Sequence, residues 1–551
     1  MIYQKFCEEV FDTEGNLKSL DITCEENFNF AYDVVDEIAM QTPEKVALVW
    51  CDKHGKEKTF TFEELSKLSN RAANVFRGHG VGKGDKVMLI LKRHYQYWYA
   101  LLGLHKIGAT AIPSTHMMTE RDIAYRVKEA NVKCIVCTPE ENMPEYVRQV
   151  KRECPQLEDC FVVNQPHGGF FDFDREMQFS EDTIERVETN TSDFMLLYFT
   201  SGTTGEPKGV LHDFAYPLGH IITARYWQCV VDGGLHLTLA DTGWAKAAWG
   251  KIYGQWLCGS AVMVYDYDHF YANEILRIIE KYGVTSFCAP PTIYRYLVRA
   301  KLKQYDLSSL QQVTTAGEAM SEDTYRDFLN ETGLSIREGF GQTETTLTLA
   351  NLRDAKLHVG SMGKPTPYYD VDIIDETGRS VDVREEGEII LRKMKHKRQI
   401  GLFSGYFGDE EQYQYVWRDG IYHTGDLAYR DEEGYYWFVS RKDDVIKSSG
   451  YRIGPSEVEN ILAEHPAVLE CAVTGVPSKK RGYLVKATIV LADGYKASDE
   501  LKIDIQDFVK KEAASYKYPR VIEFTKSLPK KTKKKIRRDE IRRQDAKVQY
   551  E

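Results

Sequence analysis

Short apolar runs recur along the chain, separated by longer amphipathic stretches. VMLIL (87–91), CIVC (134–137), FMLLYF (194–199), AVMVY (261–265) and VTSFCAPP (284–291) read as strands buried on both faces. Between them, FEELSKLSNRAANVF and NEILRIIEKYG carry the spacing of helices with one buried face. Strands alternating with helices predict mostly parallel α/β sheets covered on both sides. Ligands of such sheets gather at the carboxyl ends of the strands. After about residue 360 the texture changes: GRSVDVREEGEIIL and GYYWFVSRKDDVIK read as short antiparallel strands with glycine turns. A further α/β unit starts near residue 443 with IGPSEVENILAEHP, where Ser456 and Glu459 fit a capping box, and continues in the strands VLECAVTGV and YLVKATIVL. The charged stretch Arg441–Asp444 marks the boundary between the two parts.

Composition narrows the class. The 551 residues, 42% hydrophobic and 28% charged, suit a soluble protein of more than one domain. A net charge of −11 argues against a general nucleic-acid binder. No apolar run approaches the roughly 18 residues of a membrane span. The N-terminal MIYQKFCEEVFDTEG lacks a signal pattern, and its acidic residues disfavour a transit peptide, so a cytoplasmic protein is expected. Eleven cysteines without framework spacing read as reduced thiols. Cys134 and Cys137, two faces of one strand, read as core rather than as a zinc or redox pair.

The chemistry concentrates first in YFTSGTTGEPKGVLHD (198–213). A Walker A loop fails here, because position 207 is proline and Lys208 is followed by Gly209. The dinucleotide G-x-G-x-x-G spacing fails as well. What remains suits an anion: Gly202, Gly205 and Gly209 let backbone N–H groups approach it, Thr200, Ser201, Thr203 and Thr204 add hydroxyl donors, and Lys208 adds charge. A flexible Gly/Ser/Thr connector is the plainer alternative.

This stretch resembles the signature loop of the adenylate-forming superfamily, which includes acyl-CoA synthetases, luciferases and peptide-synthetase adenylation domains. Four further motifs follow in that family's order: GFGQTE (339–344), YHTGDL (422–427), SRKDDVIKSSG (440–450) and LPKKTKKKI (528–536). The resemblance implies an α/β fold with a large N-terminal domain of layered sheets plus a small β-barrel-like subdomain over 1–442. A small mobile C-terminal α/β domain over 443–551 would follow. It also implies a two-step reaction: a carboxylate attacks the α-phosphorus of ATP to give an acyl adenylate and pyrophosphate, then a thiol attacks the activated carbonyl and releases AMP.

By the same resemblance, residues Thr200 to Lys208 would wrap the β- and γ-phosphates, and Glu344 would hold Mg2+, a hard cation that prefers carboxylate oxygen. Thr343 would donate to the α-phosphate. Phe340 offers a face for adenine, with Gly317, Glu318 and Ala319 along its other side, and Glu338, Gly339, Gly341 and Gln342 complete the nucleotide-binding set. Asp426 would accept both ribose hydroxyls, supported by Arg441. The catalytic lysine falls at Lys535, counting from Leu528-Pro529 to Ile536, although the family's Thr-x-Ser/Thr-Gly-Lys is here Thr532, Lys533, Lys534, Lys535. Asp443 matches the hinge about which the small domain swings, bringing Ser449, Gly450 and Tyr451 to the thiol's path. Arg452, Arg481 and Lys517 are the candidate CoA contacts.

The segment ADTGWAKAAWGKIYGQW (240–256) resembles the medium-chain acyl-CoA synthetase subgroup. Trp244, Lys246, Trp249 and Gly341 are the acyl-pocket candidates, and Trp249, Tyr253 and Trp256 are spaced to share one helix face. Acetate-specific relatives carry a blocking tryptophan where this chain has Gly341. Its absence leaves room for several methylenes, each worth about 0.8 kcal/mol when buried. The implied function is an ATP-dependent, AMP-forming acyl-CoA synthetase for an acid larger than acetate: medium-chain, branched or aromatic. A stand-alone enzyme loading a carrier protein, or a nucleotide- or lipid-binding protein that has lost catalysis, are the alternatives. The sequence leaves open whether the chain forms a homo-oligomer.

Overall fold

The computed structural model describes residues 1–201, 207–318, 320–393, 399–442, 444–448, 451–478, 482–512, 517–530 and 536–545. Two large sheets dominate. In the first, of eight strands, the apolar runs Lys86–Ile90, Cys134–Cys137 and Asp159–Val162 pair in parallel on one side of Thr110–Pro113, and Phe194–Ser201 pairs in parallel on the other. Pro207–Asp213 turns back antiparallel on Phe194–Ser201, which sets Lys208 opposite Thr200. The second sheet, of nine strands, has a parallel centre of Ile336–Phe340, Gln312–Ala316, Ser286–Cys288, Leu235–Thr238, Ala261–Asp266 and Val46–Asp52.

Both faces of such sheets need cover, and amphipathic helices supply it. Helix Phe62–Gly78 opens on a Thr61–Glu64 capping box. Helix Gln96–Lys106 is buried along its whole length. The two pack closely at Gly103, where a side chain would meet Ala72 at 2.8 Å. Cys134 and Cys137 are buried in different apolar clusters, as opposite faces of one strand require. Beyond the second sheet, Val371–Ile374, Gly387–Arg392, Ile421–Arg430 and Tyr436–Arg441 form a small antiparallel sheet. A further sheet, with its own apolar core, is built on Val468–Ser478 and Gly482–Leu491, and Val521–Thr525 pairs in parallel with the latter.

Two local expectations fail, each for a tertiary reason. The aromatic segment 246–257 is not one helix but two short ones, Lys246–Gly250 and Tyr253–Leu257. Gly250 lies so close to the neighbouring strand that a Cβ there would sit 1.9 Å from the Thr238 hydroxyl. The break sends Trp249 toward Trp227 and His220, while Tyr253 and Trp256 pack on Phe30. The Ser456–Glu459 capping box is also absent. Helix Pro455–Glu464 starts two residues earlier, with Gly454 as its cap and Pro455 in the first turn, so Ser456 already lies inside the helix.

The two large sheets meet along the ADTGW loop. Thr242 donates to the Lys92 carbonyl, and the Asp241 carboxylate faces Arg93 at 3.6 Å and His116 at 3.4 Å. Gly243 presses on the Ser114–Thr115 backbone, where a Cβ would lie 2.2 Å from the Thr115 nitrogen. Gly243→Ala is therefore expected to destabilise the protein by about 1–3 kcal/mol through forced overpacking, read from denaturant unfolding; an unchanged midpoint would refute this seam.

Candidate active site

The cleft lies where the parallel strands end. Residues at or just past the carboxyl ends of strands in both large sheets line one cavity of about 2880 Å3: Lys92, His116 and Thr200 from the first, Leu239, Gly317 and Phe340 from the second. It is the position that an open α/β sheet offers a ligand. The small antiparallel sheet adds Asp426 and Arg441, and the C-terminal part adds Glu459, Lys530 and Ile536.

Strand Ile336–Phe340 delivers the most densely used segment. Gly339 is backed by Leu347 and Trp227, and a Cβ would come within 2.7 Å of the former. Phe340 stands half-buried on the cleft wall. Across from it, Gly317 adopts φ +102°, a conformation that suits glycine, and Glu318 accepts the Thr292 hydroxyl at 3.0 Å.

Beyond Phe340 the chain turns and Gln342 reaches across to the small sheet. Its amide nitrogen donates to the Thr424 carbonyl at 2.8 Å and to the Asp426 carboxylate, while its oxygen accepts the Tyr422 hydroxyl at 2.7 Å. Arg441 holds the other Asp426 oxygen at 3.1 Å. Burial pushes the Asp426 carboxyl above its usual range, against the pull of Arg441 and Gln342.

Glu344 accepts the Tyr406 hydroxyl at 3.0 Å, and Lys208 lies over the Tyr406 ring at 5.6 Å. That ring joins the lysine of the glycine-rich segment to the carboxylate expected to hold metal. Among the described residues, the second Glu344 oxygen has no hydrogen-bond partner, which suits a hard cation that keeps several waters. Thr343 gives its carbonyl to His212 at 2.8 Å.

Deeper in the cleft, Lys246 donates to the Ala316 carbonyl at 2.6 Å, and burial lowers the pKa of its ammonium. Trp244 shares this wall. Trp249 lies behind it: a Cβ on Gly341 would fall 2.5 Å from the indole, so the space left by the missing side chain is already filled.

Of the residues expected from sequence, the cleft gathers Thr200, Gly317, Glu318, Glu338, Gly339, Phe340, Gly341, Gln342, Thr343, Glu344, Asp426, Arg441, Trp244 and Lys246. Lys208, Trp249 and Lys517 are not among its lining. Gly202, Thr203, Thr204, Gly205, Ala319, Asp443, Ser449, Gly450, Arg481 and Lys535 lie outside the described residues, as do the side chains of Ser201, Tyr451 and Arg452. Lys530 and Ile536, the described residues on either side of 531–535, both line the cleft. Tyr406 was not legible from the motifs. It reaches Glu344 only because strand Gly405–Tyr406 pairs with Val210 and Leu211.

Comparison with known proteins agrees with this geometry. Residues 35–407 match the AMP-binding enzyme family, and residues 457–535 match the AMP-binding enzyme C-terminal domain. The chain is 40% identical over 529 residues to human acyl-coenzyme A synthetase ACSM4, mitochondrial, covering 94% of this chain and 91% of that one. It is 38% identical over 542 residues to mouse acyl-coenzyme A synthetase ACSM3, mitochondrial, covering 97% and 93%. The crystal structure of the anthranilate CoA ligase AuaEII in complex with anthranoyl-AMP superposes with a TM-score of 0.86 at 27% identity, over 95% of this chain and 98% of that one. The chain belongs to the AMP-binding enzyme family. Its activity is that of an AMP-forming acid–thiol ligase, an acyl-CoA synthetase.

Glu338 supplies a pH test. Its two oxygens accept the Met320 and Gly360 amides at 2.9 and 2.7 Å, yet burial outweighs these bonds and pushes its pKa from 4.5 to about 8. The folded protein then keeps a proton that the unfolded chain releases above pH 4.5. This group's contribution to stability is full below that pH and is lost as pH rises toward about 8. Unfolding midpoints between pH 5 and 8 should fall more steeply for the wild type than for Glu338→Gln; parallel profiles would contradict the assignment.

Proposed function

We propose that this cleft carries out both halves of the ligase reaction on a monocarboxylic acid larger than acetate, with adenine between Phe340 and the 317–319 segment and the ribose on Asp426. The observation that carries the reading is the convergence of Glu344, Gln342, Asp426 and Arg441 with the flanks of Lys535 on a single cavity. An ionised carboxylate has sites for both ribose hydroxyls beside its bonds to Arg441 and Gln342. Glu344 would hold Mg2+, which would supply positive charge against the phosphates. Residues 200–208, with Lys208, hold the β- and γ-phosphates. Thr343 donates to the α-phosphate.

In the first half-reaction Lys535 contacts the attacking carboxylate and the α-phosphate. A point charge with rotatable donors can follow oxygens as their bonds change. The domain 443–551 then swings about Asp443 relative to 1–442, removes Lys535, and brings Ser449, Gly450 and Tyr451 to the path of the CoA thiol. Arg452, Arg481 and Lys517 bind the phosphates of CoA.

The acyl group lies along Trp244 and Lys246, which line the cleft, and its length is limited by Trp249, which stands directly behind Gly341. All eleven cysteines are free thiols, which supports a reducing compartment such as the cytoplasm. No helix of the described residues is long and apolar enough to cross a membrane. A homo-oligomer is compatible with this reading and is not required by it.

The test is ATP–pyrophosphate exchange with a panel of acids in the absence of CoA. Exchange with branched short-chain, straight medium-chain or aromatic acids, and thioester on adding CoA, is the expected result. Silence with every acid would sink the reading. In the same panel, Trp249→Ala should raise the ratio of long to short acid turnover by about 10-fold or more, since it frees space for several methylenes. An unchanged ratio would place the end of the acyl pocket elsewhere.

A further inference from the structure

The C-terminal part carries a set of ion pairs with no place in the reaction as described so far. Helix Arg538–Asp545 begins three residues after Lys535. Arg538 donates to both oxygens of Glu459, at 3.1 and 2.5 Å, and approaches Asp444 at 3.7 Å. One turn further on, Arg542 donates to the other Asp444 oxygen at 2.7 Å. Glu459 is itself fixed from behind, since one of its oxygens accepts the Val473 amide at 2.7 Å.

The chain is pinned ahead of Lys535 as well. Lys530 donates to Glu470 at 2.7 Å and bridges to Ile536 in an isolated antiparallel pair. Leu528 and Ile541 pack against Ala472 beneath. Lys530 and Arg538, the one before and the other after 531–535, are thus each paired with an acid, Glu470 and Glu459. Asp444, Glu459, Glu470, Lys530, Arg538 and Arg542 all line the cleft.

We propose that Glu459 and Arg538, with Asp444, are positioning residues for the adenylate-forming half-reaction: the ladder holds the tail in register with the residue next to the hinge. The inference rests on the reading of Lys535 above. Two features favour positioning over plain stabilisation. A bidentate arginine–carboxylate pair adds fixed geometry, whereas packing alone is as well served by apolar side chains. The ladder also joins the two places where geometry has to be transmitted, since Asp444 follows the hinge position Asp443 and Arg538 follows Lys535. Helix Pro455–Glu464, which carries Glu459, rests on the strand that carries Arg441, and a Cβ at Gly454 would lie 2.6 Å from the Val439 carbonyl oxygen. The ladder therefore runs from the wall that holds Asp426 to the tail.

The experiment uses the full chain with Glu459→Gln, and Glu470→Gln at the other end, in two assays. The first is ATP–pyrophosphate exchange with acid and no CoA. The second is thioester formation from supplied acyl adenylate and CoA. Exchange should slow about 10–100-fold, because a small misplacement costs that much. The KM for ATP and the second assay should stay within about 2-fold, the pattern of an interaction made only in the transition state. Equal loss in both assays, or unimpaired exchange, overturns the proposal. Lys535→Ala run alongside separates the two layers. If it is selective and Glu459→Gln is not, the ladder fails and the lysine reading stands. If Lys535→Ala itself damages both half-reactions equally, the lysine reading falls and the ladder's purpose with it. Should Glu459→Gln not fold, Glu470→Gln reads the same clamp from its other end, with the same outcomes.

Discussion

A buried carboxylate holds this molecule's working parts in register. Asp426 sits where the nine-stranded sheet, the small antiparallel sheet and the approach to the C-terminal part converge, and it is bonded from each direction. Gln342 comes from the end of strand Ile336–Phe340, and Arg441 comes from the last residue of strand Tyr436–Arg441. Removing either partner would leave a desolvated charge uncompensated, which is costly in proportion to burial. The arrangement persists because both partners are themselves fixed: Tyr422 holds the Gln342 amide, and the Thr424 carbonyl receives both Gln342 and Arg441. A ribose binding there would meet an acceptor whose orientation is set before it arrives.

A second constraint is charge. The reaction joins two anions, so the cleft has to concentrate cationic and donor groups where the phosphates and the carboxylate meet. The candidate cations stand on separate elements. Lys208 stands on the returning strand of a hairpin, Lys246 at the start of a one-turn helix, and Arg441 at a strand end. Each is placed by backbone pairing or close packing rather than by a long mobile stem.

Much of this was legible in the sequence because it depends on local pattern. The apolar runs at 87–91, 134–137, 194–199 and 261–265 became strands, since each run is short and flanked by turn or helix signals. The motifs 339–344 and 422–427 came together because the first runs from a strand end into a turn while the second lies within strand Ile421–Arg430, and Gln342 bonds across to Tyr422, Thr424 and Asp426. What escaped depends on neighbours distant in the chain. The break at Gly250 is set by Thr238, Trp249 fills the space at Gly341 only once the two segments meet, and Tyr406 finds Glu344 across a sheet edge. The capping box at Ser456 matched in composition and failed in phase, because Pro455 occupies the first turn of the helix.

The central claim is that one cleft binds the adenylate with its ribose on Asp426. A crystal structure of the protein with a non-hydrolysable acyl-adenylate analogue tests it most directly. The account predicts both ribose hydroxyls on the Asp426 carboxylate, adenine against Phe340, and the acyl group directed past Lys246 toward Trp249. An analogue bound with its ribose away from Asp426, or outside this cleft, would contradict it.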